Sequence, residues 1–197
     1  MVDVSAVATG LGEAGAAFGP PAPSPPELRW GVLFDELDGG DDDEYVTAIE
    51  LIYEGYLFHY RHSRVCAADA EACHENALLA GDFLYARGLR LVAARGDVAA
   101  VGLLTRLMAA CSYLRSVQAP FAADDALWAY TVAGLAGLRG HGAAGADRLF
   151  ERLDAALFAG AGVDVAALAR EEAPRLGLRD PAPLELALAA VPAGVVS

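Results

Sequence analysis

The chain contains no lysine: all 14 basic residues are arginine, set against 27 acids for a formal charge of -13. That removes the usual Schiff-base amine and the flexible point-charge ligand for phosphate. The arginines gather on no concentrated basic face, which argues against nucleic acid as the partner and against an anionic membrane surface. Cysteine is scarce as well. Three cysteines, an odd number, give no disulfide framework and imply a reduced, cytoplasmic protein. No uninterrupted apolar run reaches spanning length, since the richest stretches carry Asp or Arg within about 20 residues. The opening "MVDVSAVATGLGEAG" has neither the basic start nor the compact apolar core of a signal peptide.

Alanine, leucine and valine make up most of the 55% hydrophobic content, and β-branched residues other than valine are few. That composition favours helices over sheets. A length of 197 residues suits one domain with a sizeable core. The proline-rich "GPPAPSPPELRW", Gly19 to Trp30, cannot be helical through its middle. Residues 1–30 therefore read as a flexible N-terminal segment, either a short helix or disordered before the prolines, and 31–197 as a single helical domain.

The acidic run Asp41 to Glu44 reads as a helix start, where carboxylates meet free amides and the positive end of the dipole. From there Val46, Ile49, Tyr53, Leu57 and Tyr60 repeat at helical spacing. A second helix spans Glu75 to Ala94. Leu78, Tyr85, Leu89 and Val92 form its apolar stripe, Leu79 and Phe83 widen it, and the helix is expected inside a bundle. Gly96 is a C-cap and Asp97 the next N-cap. Further helices are expected over Val98–Val117, Asp124–Leu138 and Ala146–Ala159, with one or two short ones after them. With no strand-like alternation and no solenoid repeat, the fold class is all-α, a helical bundle.

Two groups of side chains bear chemistry. His59, His62 and Cys66 fall at i, i+3 and i+7, with Cys73 and His74 close in sequence. Thiolate and imidazole are what zinc selects, but this spacing matches no closed structural zinc pattern. Partly buried side chains are the plainer reading, and no cofactor or metal is assigned. Asp82 lies on the flank of the second helix's stripe, where an ionised carboxylate needs a partner such as Arg61 or Arg64. It is either catalytic or a charge that fixes helix register. No Walker loop, dinucleotide fingerprint or Ser/His/Asp order is present.

Taken together, "AIELIYEGYLFHYRHSR" (48–64) and "ENALLAGDFLYARGLRLVAARGD" (75–97) resemble the N-terminal half of trans-polyprenyl diphosphate synthases. That family runs A-I-E-L-I-H-x-x-x-L-x-H-D-D-x-x-D into a helix opening L-x-G-D-x-L. Ala48, Ile49, Glu50, Leu51, Ile52, Leu57 and His59 match the first pattern; Leu79, Gly81, Asp82 and Leu84 match the second. In the family, the aspartates bind the magnesium ions that clamp an allylic diphosphate. Those three positions hold Tyr60, Arg61 and Arg64 here, so a divalent ion is repelled. A second aspartate-rich motif is also missing.

The stretch "LLAGDFLYARGLRLVAARGD" is similar to the small, non-catalytic components of heptaprenyl diphosphate synthases. The resemblance thus implies a truncated isoprenoid-synthase fold and a pseudoenzyme. Its partner is a catalytic prenyl synthase subunit or a second copy, and its ligand an isoprenoid. His59, Tyr60, Arg61 and Arg64 form a degenerate motif that meets diphosphate directly. The competing expectations are a helical lipid-binding or scaffold protein without turnover, and a divergent enzyme using His59, His62 and Arg61 on a phosphorylated substrate.

Overall fold

A computed structural model describes residues 3–40, 42–67, 71–141, 145–159, 162–192 and 195–196. Among the described residues there are ten α-helices and one short 3-10 turn, together 73% helical, so the fold is all-α as expected. They are α1 (Val4–Gly15), α2 (Trp30–Asp38), α3 (Asp43–Tyr60), α4 (Glu71–Glu75), α5 (Ala77–Ala94), α6 (Val98–Ser116), α7 (Phe121–His141), α8 (Arg148–Phe158), α9 (Val165–Glu172) and α10 (Ala182–Ala189). A two-residue antiparallel pairing of Val163–Asp164 with Val195–Val196 is the one strand pair among the described residues. Contacts divide the chain into two compact units. Met1–Asp35 with Gly40–Asp97 form the first; Glu36–Gly39 with Val98–Ser197 form the second.

The first unit is built on the antiparallel pair α3 and α5. Asp42 caps α3 by accepting from the Tyr45 amide at 3.1 Å, and Asp43 and Glu44 occupy the first turn, as the acidic run predicts. Asp41 lies outside the described residues. Arg95, at the end of α5, reaches back to Asp42 (2.8 Å) and Glu44 (3.0 Å) at the start of α3. Gly96 at φ +75° then turns the chain out of α5, a left-handed conformation that favours glycine. Asp97 accepts from the Tyr45 hydroxyl at 2.5 Å.

Glycine sets the distance between the two helices. A Cβ on Gly55 would stand 2.9 Å from the Gly81 carbonyl oxygen, and one on Gly88 would stand 2.7 Å from that of Ala48. The backbones therefore touch where side chains would normally intervene. This corrects the expected stripe of α5. Ala80, Gly81, Leu84, Gly88 and Val92 are its buried edge, while Leu78 (69% exposed), Leu79 (68%) and Phe83 (45%) face outward. Hydrophobicity favoured the large side chains, but close approach selected the small ones. α3 is likewise buried almost all round from Tyr45 to Phe58. Phe18, Leu28 and Leu91 pack against the cluster of Leu11, Leu51, Phe58 and Leu84, bringing α1 and the proline-rich segment onto the pair.

In the second unit α7 is the buried axis, with Leu127, Trp128, Tyr130 and Val132 all at most 1% exposed. α6 presents Leu103, Leu104, Leu107, Cys111 and Leu114 as its buried stripe. α6 passes a test of length and composition alone for a membrane-crossing helix, and 33% of its apolar window is buried. It also carries two arginines. Arg115 pairs with the buried Asp124 at 2.9 Å, and Arg106 meets Asp147 at 2.8 Å.

Candidate functional site

The end of α3, the turn that follows it, α4 and the start of α5 gather the residues singled out by sequence. His59 is the last basic residue of α3. Its Nε2 lies 3.3 Å from Asp82 Oδ1, and its ring stacks on Tyr85 with centroids 5.1 Å apart. The expected pairing of Asp82 with Arg61 or Arg64 is therefore corrected. Asp82 is 76% exposed and takes His59 as its neighbour, because it stands on the outer side of α5 rather than on the glycine edge. Tyr60 continues an aromatic ladder with Tyr56 and Tyr53, at centroid spacings of 5.4 and 5.9 Å.

Arg64 turns back toward α3. Its Nε donates to Glu54 Oε2 at 2.8 Å, its backbone amide donates to Glu54 Oε1 at 2.8 Å, and its Nη1 lies 2.9 Å from Glu50 Oε2. The same Nη1 donates to the Glu27 carbonyl at 2.7 Å, and the guanidinium covers the Tyr53 ring at 4.8 Å. Glu50 Oε1 accepts from the amides of Arg29 (2.8 Å) and Gly31 (2.7 Å). Both carboxylates are fully buried. Burial by itself would lower the Arg64 pKa, yet Glu50 and then Glu54 outweigh it and hold the guanidinium above its ordinary value. The cations in this acidic stretch are thus explained in part: Arg64 is the counterion of two acids inside the first unit.

Sequence reasoning missed Glu50 and Glu54 as a working pair. The available signal was two acids at i and i+4 within an otherwise apolar helix, a spacing that puts both on one face. Burial forces such a pair to find a cation, and the first suitable one downstream is Arg64.

Beyond Arg64 the turn carries a disulfide between Cys66 and Cys73, seven residues apart in sequence. The expectation of no disulfide is corrected. An odd cysteine count still allows one pair plus a remainder, and Cys66, just after α3, meets Cys73 in α4. The remainder is Cys111, buried in the second unit, where burial first and the Asp124 charge second push its thiol well above the ordinary value. With the disulfide closed, no group of three His, Cys, Asp or Glu side chains among the described residues can hold a metal ion. Arg61, His62, Cys66, Cys73 and His74 nevertheless line one small pocket of about 70 Å³.

The second unit holds a larger groove of about 390 Å³, walled by Ala109, Ala110, Tyr113, Phe150, Leu157 and Phe158, with Arg106 and Asp154 among its lining residues. Comparison with known proteins adds no relative: no family model, no curated protein and no solved structure matches this chain.

Proposed function

We propose that the chain is a non-catalytic subunit of an assembly that makes polyprenyl diphosphates. The observation that carries this reading is the fate of the charges at the end of α3. Arg64, at one of the three positions that the family fills with metal-binding aspartates, is turned inward as the counterion of the buried Glu50 and Glu54. With Tyr60, Arg61 and Arg64 at the family's aspartate positions, this stretch lacks the motif that clamps a magnesium diphosphate, so ionisation of an allylic substrate falls to a partner. Leu78, Leu79 and Phe83 add an exposed apolar face beside this end of the helix pair, of the kind a protein partner covers. On this reading the residues that would meet diphosphate oxygens are those of the degenerate motif, His59, Tyr60, Arg61 and Arg64; Arg61 lines the small pocket and Arg64 also serves two carboxylates.

Native mass spectrometry of the untagged protein from its own host tests the reading. The expected species is a complex with a larger subunit carrying intact aspartate-rich motifs. Leu79→Arg should dissociate that complex without unfolding the chain. A lone monomer or homodimer that does not change with Leu79→Arg overturns the proposal.

A second reading, a helical binder of lipid or isoprenoid chains without turnover, is favoured by the groove between α6 and α8. A bound apolar mass in the same spectrum, on a chain free of partners, would select it.

A further inference from the structure

We propose that the groove between α6 and α8 is one half of a two-fold interface, and that its occupant is Phe158 of a second copy of this chain. This inference stands apart from the proposed subunit role. It uses the second unit alone, whereas Leu79 belongs to the first.

The groove follows from how the two helices divide their residues. α6 turns Leu103, Leu104, Leu107, Cys111 and Leu114 to the core. Arg106, Ala109, Ala110 and Tyr113 fall at i, i+3, i+4 and i+7 on its flank, so two alanines leave a trough between a cation and an aromatic ring. α8 supplies the other wall. Phe150 and Leu153 are buried at its base, and Leu157 and Phe158 carry the apolar run to the surface. The trough, about 390 Å³, has room for an aromatic side chain. Phe158 lines it and is 97% exposed, so its own ring stands on the rim rather than in the groove.

The charges decide what the occupant is. Arg106 and Asp154 both line the groove, 3.7 Å apart, and Asp154 is 72% exposed. A small amphiphile with a head of one sign would meet both signs here. A second copy in two-fold rotation instead brings its Asp154 to Arg106 and its Arg106 to Asp154. Protruding ring, trough and both charges lie on one face, which is what a closed, self-complementary contact requires. The formal charge of -13 opposes the approach of two copies. The contact therefore relies on local opposite pairs for its register and on buried aromatic area for its affinity.

The test is sedimentation velocity on the full chain, purified without other proteins, over a concentration series. A monomer–dimer equilibrium is expected. Phe158→Asp should weaken it by at least about 30-fold, as loss of a central aromatic anchor does. Far-UV circular dichroism of that variant should match the parent, because the side chain it replaces is exposed. Arg106→Asp and Asp154→Arg should each dimerise poorly alone, since each sets like charges across the two-fold axis. An equimolar mixture of these two variants should recover the dimer, because both cross-pairs are then opposite in sign. Native mass spectrometry should find one chain of each kind in it. A chain that stays monomeric overturns the proposal, and so does a Phe158→Asp dimer as tight as the parent's. A mixture that associates no better than its components also overturns it, as does a monomer with a bound apolar mass, which assigns the groove to a small ligand.

Discussion

Glu50 and Glu54 in the first unit and Glu172 in the second are all fully buried, yet their cations stand in different places. The first pair shares Arg64, itself only 19% exposed and laid over Tyr53. Glu172 is served by Arg148 at 3.1 Å, Arg152 at 2.6 Å and Arg175 at 3.3 Å, with exposures of 50%, 41% and 47%. In one arrangement a single, largely buried arginine serves two carboxylates. The other is a shared rim, in which water and two neighbours can stand in for any one arginine. The helix contacts differ in the same sense. α3 and α5 meet through glycines with no room for a methyl group, whereas Gly102 of α6 has nothing within 4 Å of the position a Cβ would take.

The sharpest way to break this contrast is Arg64→Ala. Two buried carboxylates would lose their cation, and equilibrium unfolding in urea should register a loss of about 3–5 kcal/mol. Arg152→Ala should give a much smaller change, because Arg148 and Arg175 remain. If the two variants lose equal stability, the distinction between a single arginine and a shared rim fails.

Reduction of the Cys66–Cys73 disulfide comes next. Opening a loop of this length should cost about 2–3 kcal/mol by the chain-entropy relation. Amide hydrogen exchange should accelerate in residues 11–28 and 58–84 and stay unchanged across α7. Acceleration throughout the second unit would show that the disulfide acts beyond its own cluster.

Glycine substitution separates the units by sign. Gly88→Ala forces a methyl group toward the Ala48 carbonyl and should destabilise by about 1–3 kcal/mol. Gly102→Ala, in open space on a helix, should stabilise by up to about 1 kcal/mol. Thermal midpoints moving in the same direction would refute the close-approach account.

The subtlest effect is acid sensitivity. Burial alone would raise the Glu172 pKa, but hydrogen bonds from Arg152 and Arg148 and the Arg175 charge outweigh it and hold the carboxyl below its ordinary value of 4.5. A depressed folded value means the stabilisation is complete above pH 4.5 and is lost as pH falls through the lower folded value. Glu172→Gln should flatten the stability profile below pH 4.5 and leave its shape above that pH unchanged. A profile of unchanged slope would assign the acid sensitivity to other groups.

Much of the helix order was legible from local signals. The acidic run announced α3, Gly96 ended α5, and the apolar period placed α6 and α7 within a few residues. α2 was missed because its nine residues follow the proline-rich segment and show too few turns to reveal a period. The candidate site was legible as a list and not as an arrangement. His59, Arg61 and Arg64 stood out by charge, but which of them was already neutralised depended on a turn that no periodicity describes.

By itself the sequence determined that the chain is helical, where most of its helices begin and end, and that its formal charge is strongly negative. These are properties of neighbouring residues and summed charge. The tertiary structure alone decided that α5 buries its glycines and exposes its leucines, that Arg64 answers Glu50 and Glu54, and that Cys66 meets Cys73. Each depends on how closely two distant stretches approach, and that distance is set by packing volume and by the need to neutralise buried charge.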